Sequence, residues 1–268
     1  LSLALPGRHP DFFESFLDPK NHRPGTPLDW ISYHFYAFHA QGETLDEMQY
    51  GFFHQADGFI ATVRYVDAIR ERLAPHVKTT INEVGAILRQ DMDDLKAGSL
   101  AEPDYPPEYW NLVGSLYAYL YIELSKLGID ALGASQLVGY PGQFPSVSMV
   151  DWHSGKPNAR FAVLSLIRKQ LGPGDEIIAS PFIPFDGEPV GYQAYRKGLE
   201  RKLLIVNKRL APAAVELPAD ALGGTLSIVD VASGGVIRSA ALTASRVTLG
   251  GFAVAVVNYP ARANLKDP

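Results

Sequence analysis

The chain has 268 residues, 29 acidic against 24 basic side chains (net charge -5), 47% hydrophobic residues and no cysteine. That suffices for one large domain or two unequal ones around a buried core. It excludes disulfides, thiolate metal sites and Cys nucleophiles, and the lack of a long basic run or a ~20-residue apolar run leaves neither nucleic acid nor a membrane as an expected partner.

The opening "LSLALPGRHP" reads as a core strand without a polar lead-in, so the chain is expected to be part of a longer protein. It shows no basic n-region and too short an apolar stretch for a signal peptide, which leaves localisation open between extracellular and cytoplasmic. Next, "HPDFFESFLDPKN" spaces Phe12, Phe13, Phe16 and Leu17 at helical intervals until "HRPGTP" breaks the pattern. "LDWISYHFYA" follows, a β-rich run of the kind buried in a parallel sheet.

"ADGFIATVRYVDAIRERLAPH" places Phe59, Ile60, Val63, Val66, Ile69 and Leu73 on one helical face. A short strand, "KTTINEVGA", comes at once after it. The acid- and Pro-rich stretch "RQDMDDLKAGSLAEPDYPPEY" predicts a loop, with Asp91, Asp93, Asp94 and Asp104 solvated. A long amphipathic helix runs from about Trp110 to Lys126 and ends at Gly128. "GIDALGASQLVGYP" is a further strand, and "GKPNARFAVLSLIRKQLGPGD" a helix with Pro157 early and Gly172 at its end.

Strands alternating with helices imply a parallel sheet with right-handed crossovers, either doubly wound or part of a barrel. No G-x-G-x-x-G follows any strand, which favours the barrel. From about residue 176 the texture changes to short strands with Gly, Pro and Asn turns: "DEIIASPF", "VGYQAYRK", "RKLLIVNKR", "AAVELP", "GTLSIVDVASGG" and "RVTLGGFAVAVVNYP". The expected fold is therefore α/β over 1–175, part of a (β/α)8 barrel, followed by a small antiparallel β-sandwich over 176–268.

Ligands of such sheets sit at the carboxyl ends of the strands. Those ends carry Ser32, His34 and Tyr36, then Asn82 and Glu83, then Ser135 and Gln136. Alternation puts His34 and Tyr36 on one side of their strand and Tyr33 and Phe35 on the other. Glu83 is either a solvated strand-end acid or half of a catalytic carboxyl pair, and a mouth lined with Glu, His, Tyr, Asn and Gln suits the second reading. Tyr140 and Trp152, in the loop after "ASQL", are candidates for stacking on a sugar ring, whereas Trp110 at a helix start is read as packing. The seven His form no H-x-x-x-H pair, so no metal and no cofactor is expected.

Taken together, "LDWISYHFYA", "TTINEVGA", "YWNLVGSLYAYLYIELSKLGIDALGASQLVGYP" and "SMVDWHSGKPNARFAVL" resemble the C-terminal half of a clan A glycoside hydrolase barrel. Family 39, of the β-xylosidase and α-L-iduronidase type, is the nearest match, and the tail with "QAYRKGLERKLLIVNKR" is similar to the β-sandwich that follows such barrels. The resemblance implies that His34 and Tyr36 occupy the sixth barrel strand and that Glu83 is the nucleophile ending the seventh. An Asn-Glu pair also ends the fourth strand in this clan, where its Glu is the acid/base. Here "YHFY" precedes "NE", which selects the nucleophile and leaves Asn82 as a neighbour lining the site.

The implied activity is retaining glycosidic hydrolysis of a carbohydrate substrate, which needs a second carboxyl roughly 5 to 5.5 Å away. That acid/base Glu is expected on an N-terminal half outside these residues, as a separate or unshown segment. The competing expectation is a non-catalytic carbohydrate-binding or scaffold protein that keeps the barrel mouth. An oxidoreductase or phosphate-ester enzyme would need a phosphate loop or metal cluster that the sequence lacks.

Overall fold

In a computed structural model, the structure describes residues 2–4, 11–40, 42–97, 105–138, 144–178 and 189–261. Strand β1 (Ser2–Ala4), helix α1 (Phe12–Leu17), β2 (Trp30–Phe38), α2 (Leu45–Leu73), β3 (Lys78–Ile87), α3 (Arg89–Ala97), α4 (Pro107–Lys126), β4 (Ala131–Ala134) and α5 (Ala159–Gln170) follow in order. Strands β1 to β4 form one parallel sheet in chain order, each joined to the next through helix. This is the arrangement that right-handed βαβ crossovers produce.

Along β2 the apolar residues Ile31, Tyr33, Phe35 and Ala37 are buried, while Ser32, His34 and Tyr36 are half-buried on the opposite face. The buried face packs on α1 and α2: the Phe59 ring lies 4.8 Å from Phe35 and 6.0 Å from Tyr33, and Phe13 lies 5.6 Å from Tyr33. The helices thus cover one side of the sheet and leave the polar side for chemistry.

Helix α2 begins eleven residues before the expected start at Ala56. Thr44 and Glu47 form a reciprocal capping box there, Glu47 N–H donating to Thr44 Oγ1 (3.3 Å) and Thr44 N–H to Glu47 Oε2 (2.8 Å). Phe52, Phe53 and Ala56 extend the buried stripe back to that start.

A larger correction concerns the acidic loop. Arg89–Ala97 is helical, and Asp91 is buried rather than solvated. Its carboxylate finds an N–H and an O–H of Ser146, which removes the desolvation cost that made burial unlooked for. Asp93 is exposed as expected and pairs with Arg89 at 3.5 Å; Asp104 lies outside the described residues.

The remaining strands are β5 (Glu176–Ile178), β6 (Val190–Lys197), β7 (Glu200–Asn207), β8 (Ala213–Glu216), β9 (Thr225–Val229), β10 (Arg238–Ala241), β11 (Arg246–Leu249) and β12 (Val254–Pro260). Six form an antiparallel sheet in the order β10-β9-β12-β7-β6-β5, and β11 pairs with β8. "RVTLGGFAVAVVNYP" is two strands rather than one. A Cβ on Gly251 would come 2.5 Å from the Leu210 carbonyl, so the chain can turn tightly there only without a side chain. Strand β10, exposed throughout, has no apolar alternation to betray it. One apolar cluster joins Leu203, Ile205 and Ala255 of the large sheet with Val215 and Leu249 of the small one.

By packing, the chain divides into Leu1–Pro103 with Glu123–Ser148, and Asp104–Ile122 with Met149–Pro268, a different line from the 1–175 and 176–268 division. Helix α5 belongs with the antiparallel sheet because it packs on β9 and β12, with Asn258 donating to Gln170 Oε1 at 2.5 Å. The start of α4 follows it: a Cβ on Gly114 would touch Val163 of α5 at 3.0 Å. No helix among the described residues is long and apolar enough to cross a membrane.

Candidate active site

The polar face of the sheet is organised by one irregularity. Strand β3 runs in register with β2 up to Ile81 opposite Tyr33, and then Glu83, not Asn82, stands opposite His34. Asn82 is the extra residue of a β-bulge, and the same slip appears against β4 between Ile81 and Val84. Strict alternation would send Glu83 to the helix-covered face with Ile81. The bulge returns it to the face of His34 and Tyr36.

The bulge needs room on β4. A Cβ on Gly133 would lie 2.5 Å from the Asn82 carbonyl oxygen, a distance that no side chain tolerates. The Gly of "ALGA" is therefore what lets β3 buckle at the point where its carboxylate emerges.

Glu83 Oε2 accepts a hydrogen bond from the Tyr36 hydroxyl (2.6 Å), and His34 Nδ1 stands 3.3 Å from the same oxygen. A phenol has one proton to give. With it committed to Glu83, the 2.6 Å contact between Tyr36 Oη and Ser135 Oγ is a bond that Ser135 donates. Beside it, Ser32 Oγ donates to Asn82 Oδ1 at 3.1 Å, leaving the amide protons of Asn82 for a ligand or water. The Glu83 side chain is 40% exposed and that of His34 only 13%, so the carboxylate is accessible while its neighbour is wedged.

These groups line a cleft of about 550 Å³ whose walls are Tyr36, Asn82, Glu83, Ala134, Ser135, Gln136 and Phe144. Of the residues expected at the site from sequence, Glu83, Tyr36, Asn82 and Gln136 line it, and His34 touches it through Glu83. Trp152 belongs to the other packing unit and is exposed, and Tyr140 lies outside the described residues. Phe144 is a wall the sequence reading missed, since a lone Phe before Pro in a loop carries no periodicity. Trp110 packs against Tyr105 and Tyr109, as expected of a helix start. Among the described residues, no cluster of three His, Asp or Glu is arranged to hold a metal ion.

A carboxylate held by one hydroxyl and one imidazole at the mouth of a parallel sheet can attack an electrophilic carbon or stabilise a cation. No protein-family model matches this sequence, and no curated protein is significantly similar to it. Solved structures are similar in fold. A glucosidase from Croceicoccus marinus superposes with a TM-score of 0.61 at 16% identity, over 98% of this chain and 60% of that one. A GH51 arabinofuranosidase from Xanthomonas axonopodis pv. citri gives 0.58 at 15% identity, over 97% and 55%. An alpha-L-arabinofuranosidase from Thermotoga maritima gives 0.57 at 17%, over 94% and 56%.

The mixed α/β fold is thus shared with these glycosidase structures, and the chain spans roughly half the length of the structures it matches.

Proposed function

We propose that the chain carries the nucleophile half of a retaining glycosidase active site, with Glu83 as nucleophile. The observation that carries this reading is the placement of Glu83 by the Asn82 bulge, under the Tyr36 hydroxyl and beside His34. In this mechanism the Glu83 carboxylate attacks the anomeric carbon as the glycosidic bond breaks. The leaving oxygen takes its proton from a second carboxyl group, and water then hydrolyses the glycosyl-enzyme ester with that group acting as base.

The hydrogen bond from Tyr36 keeps one oxygen of Glu83 fixed, so that the carboxylate does not reorient between attack and release. Asn82 and Gln136, which line the cleft, are read as the groups that hold sugar hydroxyls. Glu83 is the sole carboxylate among the described residues of the cleft wall. The acid/base is read as belonging to a further segment that completes the barrel. The roughly half-length match to complete glycosidase folds supports that assignment. The parallel part is read as the C-terminal half of the barrel and the antiparallel strands as a β-sandwich following it, with a family 39 type of specificity.

The same lone carboxylate favours a second reading, a carbohydrate-binding protein without catalysis. Labelling separates the two. A 2-deoxy-2-fluoro glycoside with a dinitrophenyl leaving group needs no general acid, so the 268-residue chain should be labelled on Glu83 and mapped by peptide mass. Alkyl glycosides should not turn over with this chain alone. Label on any other residue, or none with a panel of xylosyl, glucosyl, arabinofuranosyl and iduronyl reagents, removes Glu83 as nucleophile.

A further inference from the structure

Strands β2 and β4 flank β3, and each brings a hydroxyl to the polar face near the bulge: Tyr36 from the first, Ser135 from just past the end of the second. The residue of β3 opposite Tyr36 is Gly85, two places beyond Glu83 and so on the same face. Having no side chain, Gly85 puts nothing between the two hydroxyls, and they meet at 2.6 Å. Ser135 is held there by its backbone, whose N–H donates to the Val84 carbonyl at 3.1 Å, one residue past Glu83. Its neighbour Ala134 pairs with Val84 in the ladder. The Ser135 hydroxyl is thus mounted on the strand that carries the carboxylate.

Proton count sets the direction of this chain of contacts. An ionised carboxylate only accepts, so the 2.6 Å contact with Glu83 Oε2 takes the one proton that Tyr36 has. The phenol oxygen then faces Ser135 with lone pairs alone, and Ser135 donates. Among the described residues Tyr36 is the hydrogen-bond partner of the Ser135 hydroxyl, so nothing there competes for that proton. A phenol that accepts a hydrogen bond becomes a stronger donor in turn, because bonds in a chain polarise one another. The bond from Ser135 also closes the alternative in which Tyr36 turns its proton to Ser135 and leaves Glu83 Oε2 bare.

We propose that Ser135 is a positioning residue for Glu83: it fixes the Tyr36 proton on Oε2, so that Oε2 stays anchored and Oε1 is the oxygen left to react. His34 addresses the same Oε2, from 3.3 Å, which leaves Oε1 to the cleft. This role rests on the reading of Glu83 as nucleophile, and it is exerted through Tyr36 without any contact between Ser135 and a ligand.

The test follows the Glu83 carboxyl directly, by carbon NMR of the 268-residue chain with side-chain-labelled glutamate, the resonance being assigned from Glu83→Gln. Among the described residues of the cleft, His34 and Tyr36 of β2 are the titratable groups facing this carboxyl, while the end of β4 offers the uncharged Ser135 and Gln136. Ser135→Ala should move the Glu83 titration midpoint to higher pH, because a carboxylate whose donor is weakened holds its proton more tightly. Labelling of Glu83 by the activated fluoroglycoside should slow by about three- to tenfold, as for loss of one neutral hydrogen bond. In a Tyr36→Phe background the same substitution should change neither readout, since the link through which Ser135 acts is gone. Ser135→Thr and Ser135→Val share one shape and differ in the hydroxyl. Val should show the midpoint shift and the slowing and Thr should not, so a change in packing does not pass for a lost hydrogen bond; thermal melts of each variant check the fold.

An unmoved midpoint in Ser135→Ala, unchanged labelling where the native chain reacts, an equal loss in the Tyr36→Phe background, or equal behaviour of Thr and Val overturns the positioning role. The titration needs no reagent, so a native chain that takes no label while Ser135→Ala still moves the Glu83 midpoint sinks the nucleophile alone.

Discussion

The hydroxyl of Tyr36 donates to Glu83 Oε2 across 2.6 Å although Tyr36 stands opposite Gly85, two places beyond the partner of Glu83. Such a diagonal lies within reach of an aromatic side chain but of few others. Removing the hydroxyl in Tyr36→Phe leaves the ring in place and takes a charge-assisted bond worth about 1.5–3 kcal/mol from the carboxylate. Labelling of Glu83 by an activated fluoroglycoside should slow by about 10- to 100-fold, with the melting temperature shifted by only a few degrees. Unchanged labelling would show that the Tyr36 contact has no part in the chemistry.

Gly133→Ala should cost about 1–3 kcal/mol in a urea titration, because the new methyl meets the Asn82 carbonyl at 2.5 Å and the bulge must move. Gly172→Ala is the control. Its Cβ would meet nothing within 4 Å, and the expected change is within about 0.5 kcal/mol. Equal effects of the two would mean that β4 yields without resistance.

Lys202 Nζ lies 2.8 Å from Asp175 Oδ1, with the two side chains only 10% and 5% exposed. Lys202→Met strips a buried carboxylate of its partner and should destabilise the chain by about 3–5 kcal/mol. Arg196→Met breaks the exposed pair with Glu176, 40% and 65% exposed, and should cost less than about 1 kcal/mol. Denaturant midpoints of the two variants compare them directly, and a larger loss for Arg196→Met contradicts the burial.

Burial pushes the Tyr117 phenol up to about 12, helped by the nearby Tyr121 and opposed by Arg160. In the unfolded chain it titrates near the ordinary 10. Between those values the unfolded state has released the proton that the folded state keeps, so stability falls as pH rises. It should be undiminished below about pH 10 and decline by on the order of 2–3 kcal/mol toward pH 12. Burial raises the Tyr33 phenol in the same direction. Melts at pH 9 and pH 11 should show a smaller loss for Tyr117→Phe than for the native chain; an equal loss assigns the alkaline sensitivity elsewhere.

The strands and helices that carry a period were legible in the sequence, because burial on one face is what writes the period. Alternation around His34 and Tyr36 gave their shared face correctly. Alternation alone would have placed Glu83 wrongly had its orientation been read from it, since a bulge leaves no mark in the strand that bears it. Its trace is on the neighbour, in Gly133. Asp91 was misread for a related reason: composition says how polar a segment is, not whether a Ser 55 residues onward will meet its carboxylate. The start of α2 was there to be found in Thr44 and Glu47, a spacing that marks a helix N-terminus without any apolar residue.

Because β3 slips by one residue, two consecutive side chains, Asn82 and Glu83, reach the cleft where an even strand would offer one. Position 82 thus lines the cleft beside position 83, while its backbone carbonyl is packed closely against Gly133. A mutant library aimed at changing what this cleft accepts would do well to randomise 82 with 83 untouched, and to keep 133 fixed in every member.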